Sequence, residues 1–338
     1  MDQLDEALHR LAPTGPEFSG GLSNHGPMAV EALTRLGFAD ALSDWVSTYL
    51  PKLDERPGPR MPVDAQNWRA AIGDLTRVGD WTLHFERRIE EAPWREVAGE
   101  WWPRLVPGAA AGATHGIIRT SHALRGLAEH ETRERRTELA HALAYWAAAH
   151  RPLAGRPATR GRLRLDEAIG ALPLIPGRRT GSITTNLVKA SEAHGFDDAL
   201  TNLAPPQDAS TSLHELARAF AKIFLTHGRK RPVVFLHAIT APVAVASVIE
   251  ELPEEFRAST HDALWQVAAA IYTGYAADSL AEPLPSAAPL TPEDLAERAL
   301  ANGDEHAIKL TEAAVREFAI TSDPIFLQAA ARGIELIG

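Results

Sequence analysis

Apolar residues recur every three or four positions along much of this chain, which is the spacing that gathers them on one face of an α-helix. The pattern predicts helices over residues 30–36, 39–50, 64–72, 81–89, 117–128, 132–150, 212–225, 243–252, 260–276, 292–301 and 308–318. Runs of β-branched residues, which are typical of strands, are few. The sequence therefore predicts an all-α fold.

Several helix boundaries carry their own signals. Ser212 has a glutamate three positions later and Thr291 precedes a proline, so both are predicted N-caps. The sequence Gly-Phe-x-Asp-Ala-Leu occurs at Gly37 and again at Gly195. It predicts the same turn twice, with a left-handed glycine between two helices. No connection is long enough to separate independent domains, so residues 1–338 are expected to form a single large domain of helical hairpins.

The longest apolar run, residues 232–249, approaches the length of a membrane span. It contains His237 and Pro242 and has basic residues at one end, so it is interpreted as a buried core helix. The acidic start of the chain lacks the basic and apolar blocks of a signal peptide. We therefore expect a cytoplasmic protein with no membrane partner.

Composition removes several classes of chemistry. The net charge of −10 disfavours nucleic acid as a partner, because nucleic-acid surfaces concentrate lysine and arginine. The chain has no cysteine, which excludes disulfides, thiolate metal ligands and iron–sulfur clusters. It also has no G-x-G-x-x-G, P-loop, H-E-x-x-H or G-x-S-x-G motif. We therefore expect no bound flavin, nicotinamide or nucleotide.

Four segments share one pattern, a histidine followed by a small residue and an apolar helix. They begin at His25, His115, His237 and His306. One such histidine is usually a structural group, but four on helix starts suggest imidazoles aimed at one metal ion. Because the pattern spans residues 25–306, the whole chain is expected to fold around a buried metal site.

Other polar residues accompany these histidines. His122 follows His115 by two helical turns on the same face, so it is the alternative ligand or a substrate contact. Arg119 lies between them and suits an anionic or quinonoid oxygen, while a plain surface salt bridge fits equally well. Lys309 lies one turn after His306 and becomes a ligand only as a neutral amine or as a carbamate; the alternative is a surface lysine.

The motifs Ser-Asn-His-Gly-Pro-Met at His25, His-Gly-Ile-Ile-Arg-Thr-Ser-His at His115, Leu-His-Ala-Ile-Thr at His237 and Asp-Glu-His-Ala-Ile-Lys at His306 resemble the questin oxidase-like family. The resemblance spans nearly the whole chain. It implies a helical fold in which iron is held by four histidines and a carboxylated lysine. The ligands would be His25, His115, His237, His306 and Lys309. Thr240 has the position after His237 that Lys309 has after His306, so its hydroxyl is expected to hydrogen-bond the carbamate.

The resemblance further implies an oxygenase acting on polycyclic aromatic polyketides, including Baeyer–Villiger-type or oxidative opening of an anthraquinone ring. A mononuclear non-haem Fe²⁺ would serve as the cofactor, and molecular oxygen would be the second substrate. We expect Arg119 and His122 to act in catalysis, and Trp146, Trp265, Tyr272 and Tyr275 to line the substrate pocket. Two alternatives remain, a zinc-dependent hydrolase and a non-catalytic helical module that binds a hydrophobic ligand. The sequence does not predict the oligomeric state.

Overall fold

The computed structural model describes residues 2–177, 179–278, 281–284 and 291–338. Over these residues the chain is about 69% helical, which confirms the all-α prediction. The packing of the helices divides the chain into two compact units, Met1–Arg151 and Pro152–Gly338. A single domain over residues 1–338 stays a prediction.

In the first unit the described elements are α1 (Gln3–Leu11), β1 (Glu17–Phe18), β2 (Leu22–Ser23), α2 (Gly26–Arg35), α3 (Leu42–Tyr49), α4 (Trp68–Ala71), α5 (Val78–Glu91), α6 (Trp94–Leu105), α7 (His115–Glu129) and α8 (Arg133–Ala148). The two strands form a short antiparallel hairpin. Helix α8 packs against both α5 and α7 and is buried from Leu139 to Ala148. It is therefore the central helix of this unit.

In the second unit the described elements are α9 (Leu165–Gly170), α10 (Ile183–Ser191), α11 (Phe196–Thr201), α12 (Ala209–His227), α13 (Pro232–Ala246), α14 (Glu254–Tyr275), α15 (Pro292–Asn302), α16 (Glu305–Thr321) and α17 (Ile325–Leu336). Helix α13 packs against α12, α14 and α16 and is buried from Val234 to Val245. The interpretation of this apolar run as a core helix is confirmed. No helix of the described residues is both long and apolar enough to span a membrane.

The boundary predictions had mixed outcomes. Gly37 and Gly195 have φ values of 88° and 81°, and Thr291 caps α15 as predicted. Ser212 is not an N-cap, because the side chain of Asp208 accepts the hydrogen bond from Thr211 N and starts α12 earlier.

One predicted helix is wrong, and one helix of the first unit was not predicted. The helix placed at residues 243–252 is wrong, since α13 ends at Ala246. A helix that is buried on every side has no apolar stripe for periodicity to detect. Helix α6 went unpredicted because its interior contains Pro103, which reads as a breaker.

Candidate metal centre

In the first unit, the hairpin leads directly into His25, which stands immediately before α2. The Asn24 side chain accepts a hydrogen bond from Gly26 N at 3.0 Å and donates to Gly15 O at 2.9 Å. His25 N donates to Tyr49 Oη at 2.9 Å. These bonds fix the backbone on both sides of His25, whose side chain is buried.

The second histidine of this unit, His115, begins α7 after an unusual stretch of backbone. Gly112, Ala113 and Thr114 have φ values of 53°, 56° and 75°, so three consecutive residues are left-handed. For Ala113 and Thr114 this conformation costs roughly 1–3 kcal/mol each, and such strain concentrates at functional sites. The turn brings the Gly112 carbonyl onto Nδ1 of His115.

That contact has a consequence for the chemistry of His115. A carbonyl only accepts hydrogen bonds, so Nδ1 carries the proton and the lone pair of the ring lies on Nε2. The His115 ring lies edge-on to the His25 ring, with 4.4 Å between centroids. The structure therefore brings together the two histidines that the sequence motifs selected in this unit.

In the second unit, His237 lies inside the buried helix α13 and His306 lies in the first turn of α16. Their ring centroids are 6.0 Å apart. Burial, followed by the neighbouring His306 and Lys309, lowers the pKa of His237 well below its usual value. His237 is therefore neutral at pH 7, as a metal-binding imidazole must be.

Asp304 is the N-cap of α16 and organises the ligand candidates around it. Its side chain accepts a hydrogen bond from His306 N at 2.8 Å and lies 3.2 Å from Nδ1 of the same residue. Ligand atoms of Asp304, Glu305 and His306 lie within 4.8 Å of one another, close enough for a shared cation. The carboxylate orients the His306 ring in the way that outer groups orient metal-binding histidines.

Lys309 is the most unusual side chain of this unit. It is 1% exposed, and its Nζ has no hydrogen-bond partner among the described residues. Burial lowers the pKa of Lys309 to about 7, against the opposing charges of Glu305 and Asp304. The interpretation of Lys309 as a surface lysine is thus excluded, and its amine is neutral in a large fraction of molecules at pH 7.

The lowered pKa of Lys309 predicts a pH-dependent stability of the metal-free protein. Between about pH 7 and pH 10 the unfolded chain carries a proton on Lys309 that the folded chain has lost. The free energy of unfolding therefore rises with pH across this range. Lys309→Met should exceed wild type by several kcal/mol near pH 7, and the difference should shrink toward pH 10. Urea unfolding in CO₂-free buffers measures it. A difference independent of pH would contradict the prediction.

Two residues predicted to act in catalysis make hydrogen bonds to buried carboxylates. Arg119 donates to Glu138 through Nε at 2.6 Å and Nη2 at 2.8 Å, and both side chains are buried. His122 Nδ1 lies 2.7 Å from Glu31 Oε2, and Arg125 also donates to Glu31. Arg119 thus forms the salt bridge that the sequence allowed as an alternative, but the pair is buried and not at the surface. The catalytic roles of Arg119 and His122 stay predictions.

The aromatic residues expected to line a substrate pocket differ in their surroundings. Trp146 and Trp265 are fully buried, and their indole N–H groups donate to Gly108 O at 3.2 Å and Leu200 O at 3.0 Å. Both therefore satisfy their polar atom as core residues do.

The two tyrosines proposed for the same pocket lie near the end of α14. Tyr275 is buried beneath the Arg179 guanidinium, whereas Tyr272 is half-buried against the His227 ring. His227 lines a cleft of about 1030 Å³ in the second unit, together with His261 and aliphatic residues such as Ile223. Tyr272, which was expected to line the substrate pocket, is therefore in contact with a residue that lines an open cleft.

Thr240, expected to lie beside Lys309, is buried one turn after His237. Its hydroxyl donates to Leu236 O at 3.1 Å, the bond that a threonine makes to its own helix. The oxygen keeps its capacity to accept a hydrogen bond, and its role beside Lys309 stays a prediction.

Sequence reasoning missed several polar groups that contact the predicted site residues or their neighbours. They lie on other helices than the residues they contact, so no local sequence pattern identifies them; they are Glu31, Glu138, Tyr49 and Tyr145. Asp304 was detectable, because an aspartate two residues before a helix-starting histidine is a common capping arrangement.

Comparison with known proteins adds no relative. No protein-family model matches the chain, and no curated protein matches it.

Proposed function

We propose that this chain is a non-haem iron oxygenase that inserts oxygen into, or cleaves, a ring of a polycyclic aromatic compound of the anthraquinone type. The observation that carries the proposal is Lys309, a buried amine without a hydrogen-bond partner among the described residues, next to the buried His237 and one helical turn from the half-buried His306. A buried polar group of this kind is costly unless something binds it. A metal ion with a carboxylated lysine would satisfy it.

The donor atoms fit an iron site. His25 and His115 in the first unit, and His237 and His306 in the second, would supply four neutral imidazoles. The neutral amine of Lys309 can attack CO₂, which forms an N–C bond, releases one proton and leaves a carbamate anion. That anion would balance part of the metal charge in a region of low dielectric. Nitrogen and oxygen ligands without thiolate suit Fe²⁺.

The surrounding residues would prepare these ligands. The Gly112 carbonyl accepts a hydrogen bond from Nδ1 of His115, which would leave Nε2 as the metal-binding nitrogen. The Asp304 carboxylate would orient the His306 ring. Fe²⁺ would supply the activation of molecular oxygen, for which no side chain of this chain is suited. The half-buried Tyr272 beside His227 offers an aromatic face for a flat substrate. The motif resemblance supplies the substrate class.

The test begins with elemental analysis of protein purified without added metal. We expect about one iron per chain, and an oxygen electrode should record oxygen consumption with a hydroxyanthraquinone that rises with iron loading. Stoichiometric zinc with activity in the absence of oxygen would instead support a hydrolase. Protein that holds no metal after incubation with Fe²⁺ and bicarbonate would favour a binding module. A yellow protein with stoichiometric flavin would overturn the proposal.

A further inference from the structure

The Tyr145 hydroxyl is a buried polar group to which the arguments above give no role. Tyr145 lies on α8, its side chain is fully buried, and its hydroxyl reaches the hairpin that precedes α2. Tyr145 Oη donates to Glu17 Oε1 at 3.0 Å and lies 2.7 Å from Ser23 Oγ. Since the phenol proton goes to the carboxylate, Ser23 donates to Tyr145. One hydroxyl thus joins both strands of the hairpin, two residues before His25.

The same hydroxyl also lies against the strained turn before His115. A Cβ at Gly112 would lie 2.3 Å from Tyr145 Oη and 3.3 Å from Ser23 Oγ. Only glycine fits there, both for this contact and for its positive φ. The Gly112 carbonyl in turn holds Nδ1 of His115. The Tyr145 hydroxyl is therefore in contact with the segments that carry both histidines of this unit.

The phenol is suited to a permanent structural contact. Burial, and then the Glu17 carboxylate, raise the pKa of Tyr145 far above its usual value. The hydroxyl therefore stays protonated and keeps donating to Glu17 throughout the physiological range.

We propose that Tyr145 is a positioning residue that sets the spacing of His25 and His115 for metal binding. The hydroxyl accepts a hydrogen bond from Ser23 on one side and packs against Gly112 on the other. The ring centroids of the two imidazoles are thereby held 4.4 Å apart before a metal binds. This inference rests on the proposed function in one respect, that these two imidazoles bind the metal.

The test uses Co²⁺ as the probe, with affinity measured by competition against a chelator and geometry read from the visible absorption of the bound ion. Tyr145→Phe keeps the ring and removes only the hydroxyl. It should bind Co²⁺ roughly 10- to 100-fold more weakly than wild type, as expected for loss of a supporting contact, and should shift the absorption bands. The matched control is Thr82→Val, which removes a buried hydroxyl that, among the described residues, bonds to the Val78 carbonyl of its own helix. It should bind Co²⁺ like wild type.

A second variant tests the other side of the contact. Gly112→Ala should also weaken Co²⁺ binding, since its Cβ displaces the hydroxyl. In the Gly112→Ala, Tyr145→Phe double variant the two losses should be less than additive, because the nearest of the clashing atoms, Tyr145 Oη, is absent. Should Tyr145→Phe fail to fold, Ser23→Ala replaces it and should give a smaller loss with the same direction of spectral shift.

The outcomes separate this inference from the proposed function. Wild-type affinity and an unchanged Co²⁺ spectrum in Tyr145→Phe would overturn the positioning role. Strictly additive losses in the double variant would do the same. A wild-type protein that binds no Co²⁺ would instead refute the metal site itself.

Discussion

Replacing Lys309 with methionine should remove most of the metal binding and leave the protein folded. Methionine has a similar volume to the lysine stem and no buried amine, so the substitution is expected to preserve packing and to raise the stability of the metal-free protein. Without the carbamate, four neutral imidazoles would face the full charge of the ion. We expect affinity for Fe²⁺ to fall by about 100-fold or more, with oxygen consumption falling in parallel.

Dependence on CO₂ distinguishes a carbamate from a directly bound amine. Wild-type protein should lose metal affinity in CO₂-free buffer and regain it with bicarbonate, whereas Lys309→Met should respond to neither. Lys189→Met, which changes an exposed lysine of α10, is the matched control and should behave as wild type. Full iron content in Lys309→Met would remove Lys309 from the site.

The helical repeat and the histidine motifs made part of this architecture predictable. Each motif combines a chemically distinctive residue with a local signal, a histidine followed by a small residue and an apolar segment, so sequence alone could select His25 and His115. The expectation that all four histidines lie at helix starts is wrong for His237, which lies inside α13. The structure places these two rings in contact within one unit. It likewise pairs His237 with His306 in the other. Local patterns of this kind are visible without knowing the fold.

What the sequence could not reveal is pairing over distance. Ser23 meets Tyr145 across 122 residues, and Glu31 meets His122 across 91. Nothing in a helical repeat specifies which polar side chain of one helix faces another helix. For the same reason Arg119 was ambiguous, because a single arginine on a helix face does not announce whether a substrate or a carboxylate will face it.

Substitution of Arg119 should lower the free energy of unfolding by a large amount. Its guanidinium and the Glu138 carboxylate are both buried and make two hydrogen bonds to each other. Arg119→Met would leave the buried Glu138 carboxyl without its guanidinium partner, and removing one member of a buried pair typically costs about 3–5 kcal/mol. Chemical denaturation should show that loss.

The double variant Arg119→Met, Glu138→Met separates a structural role from a catalytic one. Replacing both members of a buried pair with apolar side chains of similar size is often close to neutral, so the double variant should recover most of the lost stability. If Arg119 acts only in this pair, iron binding and oxygen consumption should recover with it. Recovery of stability without recovery of activity would instead assign Arg119 a contact with the substrate. The expectation that Arg119 acts in catalysis would then hold, and the ion pair with Glu138 would serve to position the guanidinium.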